Sequence, residues 1–556
     1  MHPSPENENA ETRRPARWST VAHVALILAA AVFLRGWQID HVPGVNGDEA
    51  WMGVQAQRFL DGFAGDGNEP VESVQWRTPT GNPINWFLFW PTVLLHTWLP
   101  PSIGLLRLPA LLSGLAALAV NYWLCGRVFG RRAATISTLL FAVLPLNIAY
   151  ARFGWDASQS LLATLPVIYL SLLAVREPDW RRCWLLLAAA VQAMSILVHP
   201  TNIFVVPVPV FAATWVYRGE LADVWRQLTA RRLQHVVLAL AAAATGLALW
   251  LLWPWCEIAT RRLITPGESG TFLVALVDLF AGISVYQFIP GSFTDLSAPS
   301  TIVYRVFAGA LLGAALWGSW RYFRTTHHVG TGVLAAGTLA SFAVYFLIAG
   351  PEAIRPHFER YGVCLLALGG LALALGIEWW LTQANDQGRR AARWVAPTCA
   401  WLLLVGFALH YHVHFRTTGG TSHAAFRTAP VEPKLASLQL AAAHSPDGTI
   451  DIVADDWWHY WPLAYLAHKN PRIRVHRFET DEDSETTRVA QTRDTTRHDV
   501  TRHDVGTVWW IGFADRARAV ASVGDDRGST IAPALYCDDY AGREVVGVMP
   551  WTLRRP

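Results

Sequence analysis

Twelve apolar stretches punctuate the chain, at 20–36, 84–99, 105–125, 133–151, 157–175, 183–199, 201–217, 235–254, 301–320, 330–348, 361–381 and 393–412. Most hold roughly 17 to 22 residues, the length at which an α-helix crosses the hydrocarbon core of a bilayer. The pattern predicts a mostly α, polytopic transmembrane helical bundle. The second stretch, INWFLFWPTVLLHTWL, is short and contains Pro91 and His96. It reads as an interfacial or re-entrant helix.

The polar gaps set the topology. Basic loops recur as GRVFGRR near 126–132, REPDWRR near 176–182 and RGELADVWRQLTARR near 218–232, then RYFR at 321–324 and GRRAAR at 388–393. If 84–99 stays in the interface, all of them share a side with the basic N-terminus, which carries Arg13, Arg14 and Arg17. The positive-inside rule favours that arrangement. It predicts about eleven spans, a cytoplasmic N-terminal tail over 1–19, a membrane domain over 20–412 and an extracytoplasmic C-terminal region. The first apolar run, Thr20 to Leu34, lacks a small-x-small cleavage site and is read as a retained span.

From about 413 the pattern changes. TIDIVADDWW, VGTVWWIGFAD and REVVGVMPW are short β-like runs between helix-capable segments, which predicts a small soluble α/β domain over 413–556. DDWWHYW at 455–461 reads as a strand end leading into an aromatic helix. Within this region 479–505 is polar and of low complexity, with TRHDV twice in tandem, and is expected to be a loop. His498 and His503 belong to that repeat and read as solvated side chains.

Composition agrees with an integral, multi-pass membrane protein. Of 556 residues 52% are hydrophobic and 16% charged, against about a quarter charged in soluble domains. A net charge of +3 gives no reason to expect a nucleic-acid partner. The six Cys (125, 183, 256, 364, 399 and 537) form no CxxC or Cys/His cluster and read as small buried side chains. Trp37, Trp51, Trp76, Trp86, Trp90 and Trp98 crowd the loop at 37–104, as expected at headgroup level among membrane lipids.

Ionisable groups beside membrane spans are costly, which makes each a candidate for function. On the predicted outer side they gather in five places: Asp48 and Glu49 in GVNGDEAWMG, Arg77 in QWRTPTGNP, Arg152 and Asp156 in YARFGWDASQS, His199 in LVHPTN, and Arg355, His357, Glu359 and Arg360 in PEAIRPHFERY. A carboxylate at the surface can take a proton from an acceptor hydroxyl or amine. Nearby Arg and His can hold a phosphate and stabilise it as it leaves. The plainer alternatives are a solvated helix N-terminus for Asp48–Glu49 and structural ion pairs for Arg152–Asp156 and Glu359–Arg360.

In order along the chain, GDEAWMGVQAQRFLDG, LLRLPALLSGLAALAVNYWLCGRVFGRRAA, LPLNIAYARFGWDASQSLLATL, LVHPTNIFVVPVPV and FERYGVCLLALGGLAL resemble the C-type (GT-C) membrane glycosyltransferases. More narrowly, they are similar to the protein O-mannosyltransferase and aminoarabinose transferase group. The resemblance covers about 18–412. It implies a polyprenyl-phosphate sugar donor, a lipid, glycan or protein acceptor, and inverting transfer on the outer face. It also implies Asp48 as general base, Glu49 in support and Asp156 as a second acidic site residue. The donor phosphate would lie among Arg77, Arg152, His199, Arg355, His357, Arg360 and Tyr361. No cofactor is assigned, and a divalent metal is left open. A flippase of lipid-linked sugars and a non-catalytic binding protein of the same fold remain alternatives, although the charges gather at one face and no internal repeat is visible.

Overall fold

The protein is described from a computed structural model, which covers residues 14–64, 74–78, 81–229, 257–265, 267–287, 298–326, 329–355, 358–418, 432–446, 448–468, 470–477, 507–525, 534–539 and 542–551. Its helices are α1 (Arg14–Gly36), α2 (Gly47–Ala64), α3 (Trp86–Trp98), α4 (Ile103–Phe129), α5 (Arg131–Val143), α6 (Pro145–Tyr150), α7 (Ser160–Arg176), α8 (Arg181–Val198), α9 (Pro207–Val216) and α10 (Arg218–Thr229). The membrane part continues with α11 (Glu268–Ala281), α12 (Ile283–Tyr286), α13 (Pro299–Thr325), α14 (Val329–Ile348), α15 (Val363–Thr382), α16 (Asp386–Phe407) and α17 (Phe415–Thr418). A π-helical stretch, Ala408–His414, joins the last two.

Among the described residues seven helical segments are long and apolar enough to cross a membrane: Ile103–Phe129, Asp156–Arg176, Pro178–Val198, Pro299–Thr325, Val329–Ile348, Glu359–Thr382 and Asp386–His414. The chain is a multi-pass membrane protein. Three other expected spans are helical but short or broken. The apolar part of α1 is Val21–Gly36. The stretch 133–151 divides at Leu144 into α5 and α6, where Pro145 cannot donate to the preceding turn. The stretch 201–217 is a 3₁₀ turn, Pro200–Val205, running into α9. The expected span at 235–254 lies outside the described residues, as do the loop at 479–505, His498, His503 and Cys256.

A bent pair, Glu257–Ile264 followed by α11 and angled by 94°, was not expected from the pattern. Asp278 interrupts its apolar run. The structure answers that charge with Arg305 of α13, whose Nε and Nη2 donate to Asp278 at 2.8 and 2.7 Å.

Helix α15 is the axis of the bundle, with 89% of its apolar window buried. It meets α13 backbone to backbone, and a Cβ on Gly376 would overlap the Ala315 carbonyl. Helix α3 begins at the N-cap Asn85, whose side chain accepts from Phe87 N at 3.0 Å. Its 13 residues reach about 20 Å, short of a core of about 30 Å. That length suits a helix lying in the interface. Trp86, Trp90 and Trp98 are exposed along it. The free cysteines Cys125, Cys364 and Cys537 are buried, whereas Cys183 is exposed on α8, where an apolar side chain can face lipid.

The C-terminal region is the expected α/β unit: α18 (Glu432–Ala443), β1 (Ile450–Ala454), α19 (Trp457–Ala467), β2 (Ile473–Arg477), β3 (Thr507–Phe513), α20 (Ala514–Asp525), β4 (Leu535–Asp538) and β5 (Glu544–Trp551). The sheet order is β2-β1-β3-β5-β4. β1 pairs in parallel with β2 and β3, while β5 pairs antiparallel with β3 and β4. DDWWHYW begins directly after β1 and runs into the start of α19. That helix lies on α2, and Trp461 and Tyr465 share an apolar cluster with Trp51, Met52, Val54, Leu88 and Leu106.

Candidate active site

The short stretch before α2 folds as a reciprocal cap. Asn46 Oδ1 accepts from Asp48 N at 2.8 Å, and Glu49 Oε1 accepts from Asn46 N at 3.1 Å. Two N–H groups at the helix start are thereby satisfied. The pair then divides. Glu49 is wholly buried, and its carboxylate takes Arg107 Nε at 3.1 Å, Arg107 Nη2 at 2.6 Å and Gly154 N at 3.0 Å. Arg107 also donates to the carbonyls of Ile39, Pro43 and Gly44. One ion pair therefore joins α2, α4, the loop after α1 and the loop before Asp156.

Asp48 is half-buried, and among the described residues no hydrogen-bond donor meets its carboxylate. Burial pushes its pKa up to about 6. Arg360 opposes that shift, and Asp156 and Glu49 add to it. A carboxyl poised near neutrality, half in water, can gain and lose a proton where a fully paired one cannot.

Arg360 is the centre of the expected cluster. Its charge acts on Asp48, Asp156 and His199. Its guanidinium lies 4.5 Å from the Trp155 ring centroid and 4.8 Å from that of Tyr361. Nη2 donates to Tyr361 Oη at 3.0 Å. The ring of Tyr361 is 5.9 Å from that of His199, whose Nδ1 sits 2.7 Å from Thr201 Oγ1. Asp156 opens the 3₁₀ turn before α7, and its Oδ1 accepts from Ala157 N at 2.9 Å. Asp48, Asp156, His199, Arg360 and Tyr361 thus form one neighbourhood, contributed by four separate segments.

The other expected residues lie elsewhere. Arg152 is fully buried and donates to the carbonyls of Leu34 and Arg35 at 2.7 and 3.1 Å and of Gln38 and Val42 at 3.4 and 2.6 Å. It caps the end of α1 rather than pairing with Asp156. Arg77 is exposed and donates to Gly81 O at 3.1 Å within its own turn. Arg355 is exposed and pairs with Glu352 at 2.8 Å. His357 lies outside the described residues. Among the described residues no group of three or more His, Cys, Asp or Glu could hold a metal ion.

Three participants escaped the sequence reading. Arg107 was a visible signal, a charge inside the apolar run LLRLPALL. Trp155 sits directly before Asp156, but its role under Arg360 depends on tertiary contact. Lys434 comes from the C-terminal domain, and its Nζ reaches Val45 O at 2.6 Å beside the cap.

The model of the family described as dolichyl-phosphate-mannose-protein mannosyltransferase matches residues 100–255, a stretch that carries Arg107, Asp156 and His199. Among curated proteins no sequence matches. Of solved structures, the chain is similar to ArnT from Cupriavidus metallidurans bound to undecaprenyl phosphate, at 18% identity and a TM-score of 0.50, over 97% of this chain and 100% of that one. The apo form of that protein is similar at 16% identity and a TM-score of 0.48, over 96% and 98%. An Archaeoglobus fulgidus oligosaccharyltransferase in complex with Zn and sulfate is similar at 13% identity and a TM-score of 0.49, over 93% and 72%. The chain has the C-type glycosyltransferase fold.

Proposed function

We propose that this chain is a membrane glycosyltransferase that moves a sugar from a polyprenyl-phosphate donor to an acceptor hydroxyl or amine on a lipid, glycan or protein, with inversion. The observation that carries this reading is the division of the acidic pair. Glu49 is locked to Arg107, while Asp48 is left without a donor beside Arg360. The undecaprenyl phosphate in the ArnT structure supports the choice of carrier.

The acceptor gives its proton to Asp48, and its oxygen or nitrogen attacks the anomeric carbon. The bond from that carbon to the phosphate oxygen breaks, and the electron pair leaves with the polyprenyl phosphate. Arg360, with Tyr361 and His199 beside it, receives the developing charge of the phosphate. Asp156 keeps the neighbourhood from becoming strongly cationic, so that Arg360 holds the leaving group without trapping it.

The test is release of polyprenyl phosphate from labelled polyprenyl-phosphate sugars by the purified protein and by Asp48→Asn. Turnover lost in the variant supports the assignment. Equal turnover in both removes Asp48 from the mechanism. Lipid moved across vesicles with no transfer identifies a flippase instead.

A further inference from the structure

At the opposite end of the bundle from Asp48 the structure has a second feature suited to a ligand. Helices α1, α5, α13, α15 and α16 line an open groove of about 1730 Å³. Its walls are apolar, with Ile27, Leu140, Leu312, Leu373 and Val405 each contributed by a different helix. Protein interiors are packed too closely to leave such a gap between helices without something to fill it. Helix α16 is largely exposed, with only 11% of its apolar window buried. In a bilayer the material available to fill the gap is lipid chain.

The mouth of the groove is basic. Arg131, Arg132 and Arg393 line it, and a polar cleft of about 620 Å³ continues from it past Arg389 and Arg390. The acidic residue of that cleft, Asp386, is paired with Arg389. Glu378 also acts on Arg132, from α15. The cleft still carries four arginines against one aspartate. Helix α4 fixes its position. Arg107, the partner of Glu49, lies in the first turns of α4, whereas Arg131 follows its far end, after 27 residues and about 40 Å of helix. The basic mouth and the Asp48 neighbourhood are therefore at opposite membrane faces.

We propose that this groove binds an anionic glycerophospholipid, with the phosphate among Arg131, Arg132 and Arg393 and the acyl chains between α1, α5, α13 and α16. Basic pockets between helices select anionic headgroups, and the apolar walls supply affinity by burying chain surface. The site does not depend on the glycosyltransferase reading.

The test is native mass spectrometry of the full chain, released from detergent with phosphatidylglycerol or phosphatidylcholine of matched acyl chains. The wild type retains phosphatidylglycerol preferentially, by about fivefold for each arginine engaged. Arg131→Gln/Arg132→Gln/Arg393→Gln brings the two lipids to equal occupancy, with helical content checked by circular dichroism. Should that variant not fold, Arg393→Gln alone lowers the preference about fivefold. Equal retention by the wild type, or a preference unchanged in the arginine variants, would overturn the proposal and leave only annular lipid.

Discussion

The Arg107 guanidinium closes on the Glu49 carboxylate, Nη2 to Oε1 at 2.6 Å, with both side chains fully out of solvent. Asp48, one residue earlier, has no such partner among the described residues. Two adjacent carboxylates are therefore expected to respond in opposite ways to neutralisation. Glu49→Gln leaves a buried guanidinium without its counter-charge, and breaking such a pair costs about 3–5 kcal/mol. It should lower the thermal midpoint sharply, and transfer should fall with the folded fraction. Asp48→Asn should leave the midpoint unchanged or higher, because burial already disfavours that charge, while transfer falls by about 10²–10⁴. Thermal unfolding and product formation on the same preparations check both.

The pH dependence follows from the same residue. Asp48 titrates at about 6 in the folded protein, above its ordinary value of 3.8. Its ionisation therefore costs folding free energy, a penalty present above pH 6 and relieved as the pH falls toward 4. Activity has the opposite requirement, since a base must be unprotonated. The kcat/KM profile should rise with pH through about 6 and then level off, while the thermal midpoint gains nothing over that interval from this group. A profile flat from pH 5 to 8 would contradict Asp48 as the base.

Arg360 favours the ionised form of Asp48. Arg360→Gln should move the acidic limb of the kcat/KM profile upward and reduce transfer. Much of the loss should appear in kcat, since the guanidinium is assigned to the leaving phosphate. Arg360→Lys keeps the charge but not the planar fork, and should restore the position of the limb better than the rate.

These contrasts mark where the sequence was informative. Seven of the spans, the short α3 and the change of pattern near 413 were legible because hydrophobic period and segment length are local properties. Asp48, Asp156, His199, Arg360 and Tyr361 were legible as charged or polar breaks in apolar text, and the fold brings them together. Arg152 looked equivalent to them in the sequence. Its use as a cap on α1 was hidden because four carbonyls from 34–42 are its partners, more than a hundred residues away. The different packing of Asp48 and Glu49 was hidden for the same reason. It depends on Arg107, and adjacency in the chain says nothing about which carboxylate faces it.

The C-terminal domain is tied to this machinery, and the tie can be tested. A Cβ on Gly47 would collide with Trp457 and one on Gly53 with Tyr465, so α19 sits directly on the helix that presents Asp48. Tyr465 Oη donates to Ser102 O at 3.0 Å and lies 2.9 Å from His96 Nε2. Lys434 adds a buried charge beside the cap, and burial lowers its pKa from 10.5 to about 8 against the pull of Glu49. Between those values the unfolded chain holds a proton that the folded one does not, so stability rises with pH from 8 to 10.5. Lys434→Met should flatten that rise in the thermal midpoint. Tyr465→Ala should cost about 3–5 kcal/mol, as large aromatic truncations do. If the domain merely rode on the membrane part, transfer would survive Tyr465→Ala wherever the bundle remained folded. Because α19 backs α2, transfer should instead fall together with the docking, at temperatures where the helical signal is still intact.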